Sequence, residues 1–567
     1  MRLRERPRSR TLADLGNLYV FNVAISGSKS RSLKFRMAWG NGSVRHGYSK
    51  LATSIHFSLD ANFMPTLLFH NCPRIMPRIS GTLSTILALF WFAQCVHSQP
   101  VDRLSAAGDK RQRVVILTDI GAEADDTESM VRLLLYSDVI DIQGLVATTS
   151  TWKRTSVSPE LIQAVIRAYA KVRENLVKHD PNYPPAETLH SLVKKGGLEY
   201  GMSGVGPKKD SEGSDWIIPT LEKNDDRPLW IAVWGGPNTL AQALFKLRAT
   251  KSSAELDRLA AKLRVYTISD QDDSGPWIRK NFPKLFYIVS PGGDYSTATW
   301  TGINTVVPGI DNSTISNQWL AEHIQQGHGA LGEAYPDVAY GMEGDTPSWL
   351  ALIPNGLNDP EHPDWGGWGG RYELYITSVP VADKKTFIRG VFVDGVPIEP
   401  ESRPIWTNAI DDFAPQVSGE YGRATLAGNK SFRDFKATIW RWRDDFQNDF
   451  ASRMEWATKS YREANHPPVI ALDQPEAFSV RSGEQFRLGA HASDPDGDSL
   501  SFHWFQYPET GSYKKRIPLT VAENLAQIDL LAPKVDKAET VHFILRVTDK
   551  GKPPLSRYKR VIVTITP

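Results

Sequence analysis

Four carboxylates fall within eight residues of one another in the segment Thr118-Asp119-Ile120-Gly121-Ala122-Glu123-Ala124-Asp125-Asp126, between a β-rich run and a helical pattern. Acids crowded at the carboxyl end of a strand repel one another unless they share protons or a hard cation such as calcium. The plainer reading is that one Asp caps the helix and the others are solvated. A second oxygen source is the strand-to-helix turn Trp234-Gly235-Gly236-Pro237-Asn238, whose glycines free the Trp234 carbonyl, although such a turn is often only a turn. A third is Met342-Glu343-Gly344-Asp345-Thr346-Pro347-Ser348, where Asp345 either ligates a metal or caps a turn that has Pro347 in its first positions. Asp270, Asp272 and Asp273 follow a further strand, facing the same crevice or forming a solvated turn.

The elements around these residues alternate. β-rich runs at 114–118, 142–149, 229–234, 263–269 and 285–290 are separated by helical patterns at 126–137, 159–178 and 238–248. That alternation predicts an α/β fold, a mainly parallel sheet flanked by helices with ligands at the carboxyl ends of the strands. The next hundred residues are rich in Gly, Trp and Pro, with a helix expected near 316–326 and a β-like run at 386–393. A helical stretch over 431–464 is expected to end at the hinge Asn465-His466-Pro467-Pro468. From Val469 only short strands and turns follow, which predicts an all-β immunoglobulin-like sandwich with Trp504 in its core.

At 567 residues the chain exceeds one core, and its net charge of +2 gives no reason to expect a nucleic acid polymer as partner. The expected divisions are a basic extension at 1–75, a signal peptide at 76–98, an α/β domain at 110–465 and the sandwich at 466–567. Residues 1–75 carry only Glu5, Asp14 and Asp60 as acids and read as either an upstream start or a genuine extension. The apolar run Gly81–Ala93, after Arg74 and Arg78, is too short for a comfortable bilayer span, so secretion to the periplasm or exterior is expected rather than a stable membrane anchor. Cleavage after Ser98 removes Cys72 and Cys95, which excludes thiol chemistry and cysteine zinc sites from the mature chain.

Three longer motifs carry a resemblance: Ile268-Ser269-Asp270-Gln271-Asp272-Asp273, the segment 342–348, and the run from Ile353 through Asp364-Trp365-Gly366-Gly367-Trp368-Gly369-Gly370-Arg371. Over roughly 110–465 the chain resembles the nucleoside-hydrolase-like domain of secreted bacterial cellulose-binding proteins, within the nucleoside hydrolase superfamily. The resemblance implies calcium-dependent hydrolysis of an N-glycosidic bond. By position it makes Asp119 the catalytic base and a metal ligand, with Asp126, the Trp234 carbonyl and Asp345 as further ligands and Asp125 as a ribose contact. Asp270, Asp272 and Glu343 are the further substrate-binding candidates.

This sequence also departs from the enzymes' pattern. Leu117 stands where they keep a first Asp, and Gly344 where many keep a His that protonates the leaving base. His328 is a conceivable substitute, though a His in a Gly-rich loop is more often simply exposed. The rival expectation is a non-catalytic binder of cellulose or another plant-cell-wall polysaccharide. It would use exposed rings among the seventeen tryptophans, with Trp365 and Trp368 foremost and Trp152 and Trp300 behind them.

Overall fold

The computed structural model describes residues 109–567, apart from 292–294, 296–297, 340, 378–384, 389–390, 395–400, 419–423, 427–430 and 520–523. The basic extension and the expected signal peptide lie outside the described residues. Among the described residues, no helix is long and apolar enough to cross a membrane.

The strands of the main sheet are β1 (Gln112–Thr118), β2 (Ile140–Ala147), β3 (Val193–Lys195), β4 (Leu229–Val233), β5 (Leu263–Ser269), β6 (Phe286–Ser290) and β7 (Tyr372–Tyr375). After a separate hairpin of β8 (Lys385–Ile388) and β9 (Val391–Asp394), β10 (Ile405–Asn408) returns to complete eight strands in the order β3-β2-β1-β4-β5-β6-β10-β7. All neighbours are parallel except β10 and β7. The central strands are continuous apolar runs because both faces are covered. Val114 and Ile116 of β1 feed one core with helices α1 (Asp125–Leu134) and α2 (Pro159–Leu176). Val115 and Leu117 feed the other, with α4 (Glu212–Glu222), α5 (Asn238–Thr250) and α7 (Ser274–Asn281).

Between β1 and β4 the strand order reverses direction, and such a switch opens a crevice at the carboxyl ends of the strands. Asp119 follows β1, Trp234 follows β4 and Asp270 follows β5, so the sequence-read acids and the Gly-Gly turn arrive on one rim.

The expected helix over 431–464 is broken into a strand at Phe432–Asp434, one turn at Ala437–Trp440 and a helix at Arg443–Glu455. The break lets Trp440 pack on Phe413 and Phe432 while Trp442 packs toward Phe505, Tyr507 and Tyr558. The helix expected near 316–326 is a single turn, Asn317–Leu320, that widens into a π-turn over Ala321–Gln325. Helices α3 (Ala186–Leu192), α4 with Pro219 inside it, and α6 (Ser253–Lys262) lie outside the sequence-based expectation.

From Val469 two sheets face each other. Strands Val469–Leu472, Gln485–Ser493 and Gln527–Leu531 form one, and Ala477–Arg481, Ser556–Thr566, Glu539–Asp549 and Leu500–Gln506 the other. Trp504 is buried in the shared core with Phe543, Leu545 and Val561, as its mid-strand position predicts.

This sandwich is docked on the α/β part. Arg560 Nη2 donates to the carbonyls of Leu357 (2.9 Å) and Gly366 (3.0 Å), Tyr507 Oη donates to Asp411 (2.6 Å), and Arg557 pairs with Asp449 (2.7 Å). Asp449 also accepts from Tyr136 Oη (2.8 Å) and pairs with Arg453 (3.3 Å). Burial opposes its ionisation, but Arg557 and Arg453 outweigh burial and hold the carboxyl below the usual carboxylate range. Removing one partner of a buried pair leaves the other charge uncompensated. Asp449→Ala is therefore expected to lower stability by about 3–5 kcal/mol in urea unfolding; a midpoint equal to wild type would show that the interface does not depend on this cluster.

Candidate metal and ligand site

Thr118, the last residue of β1, organises the acidic turn. Its Oγ1 accepts from the Ile120 amide (3.0 Å) and donates to Asp126 Oδ1. Gly121 adopts φ +87°, a left-handed conformation that favours glycine, and a Cβ there would also meet Leu161 and Lys153. The chain then enters α1, so Asp125 and Asp126 stand in a helix's first turn, where the positive end of the dipole favours negative charge.

Asp125, Asp126 and Asp345 converge: each offers a carboxylate oxygen, and the three lie within 4.8 Å of one another. Asp126 and Asp345 are buried and Asp125 is half-buried. Asp345 Oδ2 is buried without a hydrogen-bond partner, and an oxygen in that state costs free energy unless something completes its shell. Burial drives the Asp126 and Asp345 carboxyls well above the usual range, and repulsion from Asp119 and Asp125 adds to the rise in both, with Asp126 adding to it in Asp345. Asp119 is pushed up to about 6, chiefly by burial. An all-oxygen set of crowded carboxylates suits a hard divalent cation such as calcium rather than a soft one.

The geometry differs in two respects from the sequence-derived ligand set. The compact trio contains Asp125 in place of Asp119, which stands beside it as a repelling neighbour. The Trp234 carbonyl accepts a hydrogen bond from Gln271 Nε2 at 2.6 Å, so one of its lone pairs is already occupied. The glycines of that turn are required by close approach: a Cβ on Gly235 would fall 2.8 Å from Asp119 Oδ1, and one on Gly236 2.2 Å from Asp272 Oδ2.

Asp272 remains a candidate on the crevice rim. Its Oδ1 accepts from the Ser274 amide at 2.8 Å, and its buried Oδ2 has no hydrogen-bond partner. Asp270 is corrected: it forms a two-pronged buried pair with Arg279, both contacts 2.8 Å, and is not free for a ligand. Glu343 is corrected as well, being fully buried and paired with Arg132 at 2.6 Å.

The tryptophan candidates divide, with Trp368 and Trp300 buried and Trp365 and Trp152 half-buried. Trp368 is 0% exposed and directs its indole N–H toward Tyr558 Oη. Trp365 has one face stacked on His362 (3.9 Å between centroids) and His542 set edge-on against it. Trp300 is buried and donates to Ser269, whereas Trp152 is half-buried. His328 is 8% exposed rather than open to solvent, and it lies near Glu455. Sequence reasoning missed Gln271, Glu128 and Arg132. The last two sit one helical turn apart on α1, on the face that holds Asp125, a spacing that could have shown them.

Gly344 explains its own departure from the enzymes' pattern. A Cβ at this position would fall 2.8 Å from Asp125 Oδ2 and 3.0 Å from the Trp300 ring, so a histidine cannot be accommodated without moving both.

The comparisons with known proteins agree with this architecture. Residues 113–372 match the family described as the nucleoside hydrolase-like domain of cellulose-binding Sde182, and residues 485–565 match the C-terminal domain of cellulose-binding protein Sde0182. A nucleoside hydrolase-related hypothetical protein from Saccharophagus degradans, associated with carbohydrate metabolism, is 33% identical with a TM-score of 0.65, over 80% of this chain and 100% of that one. The chain belongs to this nucleoside hydrolase-like, cellulose-binding family. Two effector proteins, XOO4466 and XopQ, the latter solved with adenosine diphosphate ribose, are 11% and 12% identical. Their TM-scores are 0.24 and 0.23, each covering 43% of this chain and 81% of theirs. No curated protein matches the sequence.

Burial raises the Asp272 carboxyl from the ordinary carboxylate range to about 7. The folded state then keeps a proton that the unfolded chain loses, so the contribution is full below pH 4 and is lost as pH rises toward 7. In chelator, the wild-type melting temperature should fall by about 5 °C or more over that window relative to Asp272→Asn; parallel profiles for the two proteins would contradict a protonated Asp272.

Proposed function

We propose that this protein is a secreted, calcium-dependent hydrolase of N-glycosidic bonds, acting on N-ribosyl or related glycosides. The observation that carries this reading is the buried, unpartnered Asp345 Oδ2 converging with Asp125 and Asp126 at the strand ends of a nucleoside hydrolase-like fold. Asp125, Asp126 and Asp345 would hold the cation, with Asp119 and the second lone pair of the Trp234 carbonyl beside them. When bound, calcium supplies an acidified water and an anchor for a sugar diol.

The chain's own groups do the rest. Asp119, ionised above pH 6, takes a proton from the attacking water on its carboxylate. Asp125, half-buried at the helix start, is placed to accept from a sugar hydroxyl. The carboxylates as a group stabilise the positive charge that develops on the sugar as the C–N bond breaks. Secretion through residues 76–98 and the divisions at 110–465 and 466–567 belong to the same reading.

A second reading, polysaccharide binding without turnover, is favoured by the cellulose-binding description of the family and by Gly344, where no side chain can serve as leaving-group acid. Calcium content, hydrolysis of purine and pyrimidine nucleosides, and sedimentation with cellulose would be measured on wild type and Asp119→Ala. Bound calcium with turnover that falls about 10³-fold or more in the variant supports the hydrolase. Calcium and cellulose binding with no turnover on any nucleoside would replace it with the binder.

A further inference from the structure

Glu343 adopts φ +50°, a left-handed conformation unusual for a residue with a side chain. Such strain persists only where surrounding contacts over-determine it. Here the contacts are unusually complete. The Glu343 amide donates to Glu128 Oε2 at 2.8 Å. Its carboxylate pairs with Arg132 Nε (2.6 Å) and accepts from Arg132 Nη2 (3.1 Å), Tyr335 Oη (2.9 Å) and Thr346 Oγ1 (2.9 Å). Arg132 is fixed in turn by Gln447 Oε1, by the Phe446 carbonyl (3.4 Å) and by the Phe450 ring, whose centroid lies 4.0 Å from the guanidinium. Glu128, Arg132, Glu343 and Thr346 are all 0% exposed.

Two residues beyond Glu343 stands Asp345 with its unpartnered oxygen. Glu128 and Arg132 extend from α1, the helix whose first turn carries Asp125 and Asp126. The network therefore ties the backbone that delivers Asp345 to the helix that delivers the other two carboxylates. We infer that Glu343 is a positioning residue: through Arg132 it clamps the strained 342–346 turn to α1 and so holds Asp345 at cation-binding distance from Asp125 and Asp126. The clamp is local backbone geometry; its effect on cation binding rests on the metal reading given above. It also accounts for a glutamate rather than a glycine at a left-handed position, because glycine would relieve the strain and abolish the clamp.

The test uses the intact protein with Glu343→Gln, and with an Arg132→Met/Glu343→Leu double variant that leaves no buried charge unpaired. Amide hydrogen exchange in chelator reads the clamp without metal, and calorimetric titration with calcium alone reads its consequence. In both variants the backbone amides at positions 343 and 346 should exchange at least about tenfold faster while strand Glu539–Asp549 keeps its wild-type protection, which a general loss of stability would not do. Calcium affinity should fall about 10–100-fold, as for other groups that orient metal ligands. Unchanged exchange at those two amides in the folded double variant overturns the clamp whatever calcium does. Faster exchange in the variants together with a wild type that takes up no calcium upholds the clamp and removes the metal reading instead.

Discussion

Several carboxylates held in one buried place repel each other, and most of the surrounding structure can be read as the means of keeping them there. Asp126 and Asp345 are both buried, with Asp119 and Asp125 close enough to raise their proton affinity further. In a medium of low effective dielectric that arrangement opposes folding, and it persists only if protons or a cation are shared. The sheet meets the geometric requirement through its switch in strand order between β1 and β4, which leaves strand ends open instead of covered by the next connection. Glycines then let the backbone come close: Gly235 against Asp119, Gly236 against Asp272, and Gly344 against Asp125 and Trp300.

Much of this was legible in the sequence because the strongest patterns are local. The β1 run and its acidic end, the Gly-Gly turn after β4 and the amphipathic spacing of α2 are all short-range features, and the structure has them at the expected places. What was not legible depends on side-chain partners that only the folded arrangement brings into contact. Asp270 looks like a free acid until Arg279 and the fold bring a guanidinium onto it. Glu343 looks like a ligand-facing acid until Arg132, 211 residues earlier, is found bonded to it. Trp365 and Trp368, set among glycines, read as open rings, but Trp368 is buried against Tyr558 of the C-terminal sandwich, and Trp365 is stacked on His362 with His542 of the sandwich edge-on to it.

The docked sandwich thereby changes the argument about carbohydrate. A tethered module could expose an aromatic face of its own, yet here Tyr507, Tyr558 and Arg560 are turned inward on the α/β part and Trp504 is core. Trp368, fully buried against Tyr558, has no face open for stacking on a polymer, and Trp365 has one face taken by His362.

The Arg443–Glu455 helix shows why the two parts cannot be treated as independent. One side of it presents Asp445 and Asp449 to the sandwich, where they meet Ser556 (2.9 Å), Tyr558 and Arg557 (2.7 Å). The other side presents Phe446, Gln447 and Phe450 to Arg132, the residue that pairs with Glu343. Residues 445 and 449 lie one turn apart on a shared face, and 446, 447 and 450 occupy the adjoining one. A single rigid element thus touches the sandwich on one side and the support of the Asp345 turn on the other. Loosening the sandwich removes Ser556 and Tyr558 from Asp445 and leaves Asp449 with only Tyr136 and Arg453, and the same helix is what packs Arg132 in place. Among the described residues the all-β part contributes no carboxylate to the acidic trio, yet it buttresses the helix that packs Arg132, the partner of Glu343.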